Sequence, residues 1–487
     1  ILAQDGRLKT HKKVRKKSTS RDLAATAMKR RLPWLAPLAL FCGYHFSVAF
    51  CGMTIGVIRR QNVAKEALPP GKAKLPIFGD TLEILNPKKM LSYQLESRER
   101  WGATWTTSVL FKKAVVITGQ HEMSLARKHE SRPKAFEAFF PPHHQKLFGE
   151  SSLLVQSGLG HQRLRRLIQS AMVPKAVERF KSFIDVAIGD FLESCRRERG
   201  VFSMTKKLQE TTLRIVVQVL LGEDLPEEDL EYLRRNLRIW AVGLLSAPLN
   251  FIPWSNAARA MRARGKVEEI LLKWIEERSK KLDDTLLSQL IRATDEDGSA
   301  LSTKEIVDNV FTLVFAGIDT TASTLSSSFL KLSQDTELQK LLREKLQGPE
   351  GERYLDAFLT EILRTNPPAP FAMRLVREPL KLENVTVPAG YLLVYGLGAS
   401  LSDECYEKPD EFQLMRAWNQ SVTTSGAFGG GPRLCPGRYL AAQSAQQVLA
   451  AVLGPEGFNW KLKEEQKLEQ EYSPGLFPID GLMLELN

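Results

Sequence analysis

The chain has 487 residues, 43% hydrophobic and 25% charged, enough to bury a large core in one big enzyme fold or in about two to four domains. Its net charge of +12 does not signal a nucleic-acid partner, because residues 1–31 hold 11 Lys/Arg against Asp5 and Asp22 and carry +9 of it; the remainder has the balance of an ordinary soluble surface. Cys42, Cys51, Cys195, Cys405 and Cys435 have no paired spacing, which argues for reduced thiols over a disulfide framework.

In chain order, residues 1–31 are a basic, Ser/Thr-bearing targeting or flanking segment. Residues 32–58 carry no formally charged side chain over 27 positions; about 20 apolar residues span a bilayer, so the run is expected to be a transmembrane anchor, the other reading being a cleaved targeting peptide. Lys29, Arg30 and Arg31 outweigh Arg59 and Arg60, which would hold the N-terminus in the cytoplasm. Residues 59–79 contain "LPPGKAKLPIFG", a stiff Pro/Gly-rich connector, and residues 80–487 are expected to form the catalytic domain. There, "VERFKSFIDVAIGDFLESC", "LRIVVQVLL" and the long "STKEIVDNVFTLVFAGIDTTASTLSSSFLKLSQ" repeat apolar residues at helical spacing. Only "AVVIT" (114–118) and "NVTVPAGYLLVYG" (384–396) read as strands with turns. The expected class is mainly α with a small β-sheet region, without repeats or a phosphate loop.

Four patterns stand out from that helical background. "GHQRLRRLIQSAM" (160–172) sets His161 and Arg165 four apart on one helix face. "AGIDTT" (316–321) places Asp319, Thr320 and Thr321 inside a long apolar helix, where an acid and two β-branched alcohols are locally unfavourable. Such rule-breaking residues are candidates for function, although helical threonines also commonly bond the carbonyl one turn back. "EILR" (361–364) pairs Glu361 with Arg364, a pattern that is usually an exposed ion pair and recurs at Glu193/Arg196 and Glu231/Arg234. The densest pattern is "FGGGPRLCPGRYLA" (428–441). A thiolate that ligates a metal or haem iron needs an approach path for a flat group, and Gly429, Gly430 and Gly431 would open one by lacking Cβ atoms. Arg433 would supply a guanidinium for a carboxylate of that cofactor. Backbone N–H groups after Cys435 can bond the sulfur, and a helix starting there lends its positive end. A lone cysteine is otherwise most often a small buried hydrophobe.

Phe428, Gly431, Arg433, Cys435 and Gly437 match F-x-x-G-x-R-x-C-x-G at every fixed position, and from about residue 68 onward the chain resembles the cytochrome P-450 superfamily. The resemblance implies a cytochrome P-450 fold with haem b held between a long central helix and the cysteine loop. Cys435 would be the thiolate ligand of the iron, with Phe428 among the residues around the cofactor. Gly317 would leave room for dioxygen, Thr320 hold water and a proton, and Asp319 relay protons from solvent. His161, Arg165 and Arg374, with Arg433, would form a cationic clamp on the haem propionates. Glu361, Arg364 and Arg416 in "EFQLMRAW" would make a buried triad under the cysteine loop, with Leu414 where the family usually has proline. Between "KLLREKL" and Glu361 the chain is shorter than the family usually is. Phe136, Phe139, Phe140, residues 369–373, Leu476 and Phe477 are the expected pocket positions.

The activity so implied is a haem-thiolate monooxygenase inserting one oxygen atom from dioxygen into a C–H or C=C bond. The apolar substrate would be isoprenoid-like, because "LPPGKAKLPIFGDTLEIL" and the cysteine loop resemble the branch with retinoic-acid and plant steroid or terpenoid hydroxylases. Two alternatives stay open: a haem-thiolate isomerase or dehydratase acting on a peroxide, against which Asp319 and Thr320 speak, and a haem-binding sensor. Without a G-x-G-x-x-G unit or a flavin domain, electrons would come from an external NADPH-dependent reductase or a ferredoxin, with Arg438 either a docking residue or an ordinary solvated arginine. The protein is expected on a membrane, that of the endoplasmic reticulum, or alternatively of the chloroplast or another organelle.

Overall fold

The computed structural model describes residues 68–71, 79–399 apart from 133, 245, 247 and 384, and 405–486. The basic segment 1–31, the apolar run 32–58 and most of the 59–79 connector lie outside the described residues. Among the described residues no helix is long and apolar enough to cross a membrane. One compact unit runs over Lys65–Asn487. The end of the connector belongs to it: the carbonyls of Pro69 and Pro70 accept the Thr106 hydroxyl at 3.0 Å and its N–H at 2.8 Å. Gly71 has φ +140° there, and a Cβ would stand 2.2 Å from the Thr106 carbonyl oxygen, so the chain turns in against the sheet only as glycine.

The longest helix, Thr303–Gln334, is the axis of the fold. Ser302 and Glu305 close a capping box at its start, and Asp335 at its end accepts from the Leu338 N–H to begin the next helix, Thr336–Lys345. Its C-terminal half buries Ser323, Ser326, Ser327 and Ser328, small side chains that let Met204–Leu221 pack closely along it; Thr205 and Ser326 share a hydroxyl hydrogen bond of 2.9 Å. Its N-terminal half carries Phe311 and Phe315, whose ring centroids lie 5.1 and 4.4 Å from Trp240 on the helix Glu227–Leu244. The Trp240 indole N–H donates to the Leu147 carbonyl at 2.9 Å, so this large side chain is buried without an orphaned donor. The apolar run near residues 177–195 becomes two helices, Pro174–Glu178 and Lys181–Arg196, broken at Arg179 and Phe180.

Among the described residues the principal sheet has five strands, in the spatial order Thr104–Val109, Lys112–Ile117, Leu392–Gly396, Phe371–Val376 and Phe136–Ala138. Lys112–Ile117 and Leu392–Gly396 run parallel, with Val116 opposite Val394, and the other neighbours are antiparallel. Both expected strand regions are therefore present, the second split into Val385–Val387 and Leu392–Gly396 by a turn at Gly390 with φ +87°. This sheet buries its own clusters around Trp105, Val116 and Val394 and around Ile117, Met123 and Tyr395, beside the large helical core.

Candidate functional site

The cysteine loop is assembled from consecutive 3-10 turns, Gly426–Phe428 and Gly431–Arg433, before the helix Arg438–Leu453. The Cys435 N–H closes the loop by donating to the Phe428 carbonyl at 2.9 Å. Gly429 and Gly431 sit at φ +79° and +60°, which a side chain would resist. Gly430 and Gly431 do not clear a path for a flat ligand: a Cβ there would meet the Arg127 side chain at 2.7 Å and its carbonyl oxygen at 3.1 Å. Their bareness serves close packing on the helix Gln120–Glu130.

Cys435 opens into a cavity of about 360 Å³ whose wall is overwhelmingly apolar. Gly317 and Thr320 of the central helix, Phe428, Arg433, His161 and Arg165 also line it. Ala316 and Thr320 lie mid-helix yet are exposed, because this space runs along them. Burial pushes the Cys435 thiol upward, while the Gly437 N–H and the charges of Arg165 and Arg438 pull it back toward thiolate. Burial drives the Cys195 thiol to about 12 against the smaller opposing pulls of Lys207 and Ser194, the state of a core cysteine. Cys195 and Cys435 are both free thiols. Arg438 folds back onto the loop, donating to the Cys435 carbonyl at 3.3 Å and the Tyr439 hydroxyl at 2.8 Å.

The polar end of the cavity is strongly cationic. His161, only 4% exposed, is held to about 3 by burial first and then by Arg433, Arg165 and Arg374, which keeps its imidazole neutral. Arg433 is lowered to about 10 by burial and by Arg374, with Arg165 adding to that and Glu130 opposing it. Arg374 does not face the main cavity. It lies in an adjoining recess shared with His161 and Arg433, and donates to Glu130 at 2.8 Å, whose carboxylate also accepts the Tyr395 hydroxyl at 3.0 Å. Glu130 had no sequence signal, since it ends an ordinary charged helix. Arg433, Arg165 and Arg374 surround His161, while Glu130 answers Arg374 and Arg433 and is shared with Arg127; this excess of positive charge fits a ligand with its own acidic groups.

Thr320 donates to the Ala316 carbonyl one turn back, at 2.6 Å, and still lines the cavity. Asp319 is not brought there. It is turned toward Gln209, whose amide donates to its Oδ1 at 2.7 Å, and burial raises its carboxyl to about 6 against the opposing pulls of Gln209 and Arg238. Gln209 is a second residue that sequence reading passed over, being one amide in a helix with no motif. Of the expected pocket positions, Ala369 lines the cavity. Phe136 is in the sheet core, Phe139 lies against the cluster of Trp105 and Val394, Phe140 stacks edge-on with Phe148 at 5.6 Å, and Leu476 and Phe477 are buried in core clusters.

Beneath the loop, Glu361 is 1% exposed. Arg364 makes a fork to it, at 2.8 Å to Oε2 and 2.9 Å to Oε1, while Arg416 reaches Oε1 at 3.2 Å and the Gln413 N–H donates at 2.9 Å. The arginines' remaining N–H groups bond carbonyls of Glu407, Lys408, Pro409 and Glu411. Leu414 in place of proline is accommodated in the 3-10 turn Leu414–Ala417. The look-alike pairs differ: Glu231 and Arg234 meet on the surface, and Glu193 pairs with Arg197 rather than Arg196.

A family model for cytochrome P450 matches residues 69–486. Mouse cytochrome P450 26B1 is 25% identical over 457 residues, covering 88% of each chain. Zebrafish cytochrome P450 26A1 is 25% identical over 465 residues, covering 88% of this chain and 92% of its own. The solved structure of retinoic-acid-bound cyanobacterial CYP120A1 superposes with a TM-score of 0.76 at 25% identity, over 86% of this chain and 99% of its own.

Proposed function

Because this chain belongs to the cytochrome P450 family and is thereby a haem-thiolate monooxygenase, we propose that it oxygenates an apolar, isoprenoid-like small molecule: a retinoid, a sterol or another terpenoid. The observation that carries the reading is the Cys435 thiol opening into a largely apolar cavity with Gly317 and Thr320 on its central-helix wall. Haem bound through a cysteine thiolate supplies dioxygen activation and transfer of one oxygen atom to carbon. Cys435 would hold that group, its sulfur tuned by the Gly437 N–H. Arg433, Arg165 and the neutral His161 would hold its carboxylates, with Arg374 acting from behind through Glu130, and Phe428 would pack beside it. The largely apolar wall favours a hydrocarbon skeleton; a relative with this fold was solved with retinoic acid bound, which supports the substrate class.

Thr320 Oγ1 spends its hydrogen on the Ala316 carbonyl, leaving lone pairs that would accept a water and hold its proton in the cavity. Asp319 would pass protons from outside toward that water after turning away from Gln209. Electrons would come from an external reductase or ferredoxin. The run 32–58 would anchor the chain to a membrane, that of the endoplasmic reticulum or, as the second choice, of a plastid.

The test is a ligand screen on the haem-loaded protein, read as a Soret shift, followed by turnover with a reductase and dioxygen. Retinoids, sterols or terpenoids should shift the band and yield an oxygenated product. Cys435→Ala should lose the strongly red-shifted band of the reduced carbon monoxide complex. Retention of that band would remove Cys435 as the ligand, and product formation from a peroxide without dioxygen would replace the monooxygenase reading by an isomerase.

A further inference from the structure

Residues 149–157 bridge the two walls of the cavity, the central helix and the cysteine loop. On the helix side, Asp308 is 1% exposed and accepts from the Ser151 N–H at 3.0 Å, from Arg264, and from Lys304 at 2.9 Å. Asn309, equally buried, accepts the Leu153 N–H at 2.7 Å and donates to the Ser151 carbonyl at 3.0 Å. Ser152 and Thr312 join their hydroxyls at 2.8 Å. Gly149 has φ +92°, and a Cβ there would stand 2.1 Å from the Asp308 carboxyl, so the turn reaches the helix only as glycine. On the loop side, the carbonyls of Leu153, Leu154 and Gln156 accept from Arg433 at 3.4, 3.2 and 2.5 Å, and the Ser157 hydroxyl at 3.4 Å.

The helix attachment is costly for its size. Arg264 is buried, lies over the Phe311 ring at 4.9 Å, and leaves Nη1 without a hydrogen-bond partner. A buried ion pair of this kind is a weak source of stability and a better source of fixed geometry. What it fixes is a short run of backbone whose carbonyls at 153, 154 and 156 grip one guanidinium.

We infer that Asp308 and Asn309 are positioning residues for Arg433: through the bridge 149–157 they hold its guanidinium at the cavity edge, where it meets a carboxylate of the cofactor. The inference rests on the proposed role of Arg433. Without the grip, Arg433 swings toward solvent, the cofactor's carboxylate loses its counter-ion, and less positive charge stands near the iron. Two consequences follow that mere loosening of a loop does not produce together: faster haem loss and a lower ferric/ferrous potential.

The experiment is a double-mutant cycle on the haem-loaded full chain, using Asn309→Ser, Arg433→Gln and the double variant. The readouts are the rate of haem transfer to apomyoglobin and the midpoint potential. Each single variant should speed haem transfer by about tenfold, the scale of one charge-assisted hydrogen bond, and lower the potential. The double variant should match Arg433→Gln alone. Fully additive effects, or an Asn309→Ser variant unchanged in both readouts, would overturn the inference while leaving the role of Arg433 intact. No change in Arg433→Gln would overturn that role and the inference with it. If Asn309→Ser does not fold, Ser152→Ala, which removes a single hydrogen bond to Thr312, takes its place in the same cycle, with smaller shifts in the same directions.

Discussion

Asp319 and Thr320 are sequence neighbours with opposite surroundings, and each setting gives a separate expectation. Thr320 is on the cavity wall; positioned proton transfer contributes about 10²- to 10⁴-fold, so Thr320→Ala should bind substrate and consume reductant as before while product per electron falls and hydrogen peroxide rises. Unchanged yields of both would remove Thr320 from the proton path. Asp319 is ionised at a cost, since burial raises its carboxyl from 3.8 to about 6. A carboxyl raised on folding destabilises the fold once it is charged: the cost is absent below about pH 3.8 and complete above about pH 6. Asp319→Asn should therefore stabilise the protein at pH 7.5 by up to about 3 kcal/mol, the equivalent of the shift, and this advantage should fade as pH falls from 6 toward 4. It should also slow turnover and raise the solvent isotope effect. Denaturant unfolding at both pH values checks the first part, and equal stability of the two proteins at pH 7.5 would contradict it.

At the scale of elements, three acid–base pairs of the same sequence form part company by burial. Glu361→Ala leaves Arg364 and Arg416 charged and enclosed beneath the cysteine loop, at a cost of about 3 to 5 kcal/mol; Glu193→Ala and Glu231→Ala should stay within about 1 kcal/mol. Haem content after purification distinguishes them, and equal content in all three would dissolve the difference. The long helices, the strand regions 114–118 and 384–396 and the cysteine loop were legible because each rests on local spacing: apolar periodicity, short β-branched runs, a fixed string around Cys435. What escaped depends on partners far away in sequence. Gly430 and Gly431 are bare because of Arg127, Arg374 is drawn aside by Glu130, and Asp319 points where Gln209 pulls it. Phe136, Phe139 and Phe140 read as pocket wall but fill cores, since an aromatic residue carries no mark of which apolar space it will occupy.

At the scale of the molecule, residues 69–486 account for the family match and the principal core, so removing residues 1–60 should leave carbon monoxide and ligand spectra intact while detaching the protein from membranes in a flotation assay. Continued flotation would place an anchor elsewhere. The chain spanned by that core also contains an unbalanced charge. Arg165, Arg374 and Arg433 crowd His161, with Glu130 as their buried answer, and a ligand bearing two acids relieves the repulsion only when it arrives. Anything that binds the folded state alone raises its stability by mass action, and here the relief adds to it. A partly loaded preparation should accordingly melt in two transitions, the lower one rising when phosphate is added and shrinking as the Soret-to-protein absorbance ratio climbs, which makes a melting curve a measure of occupancy.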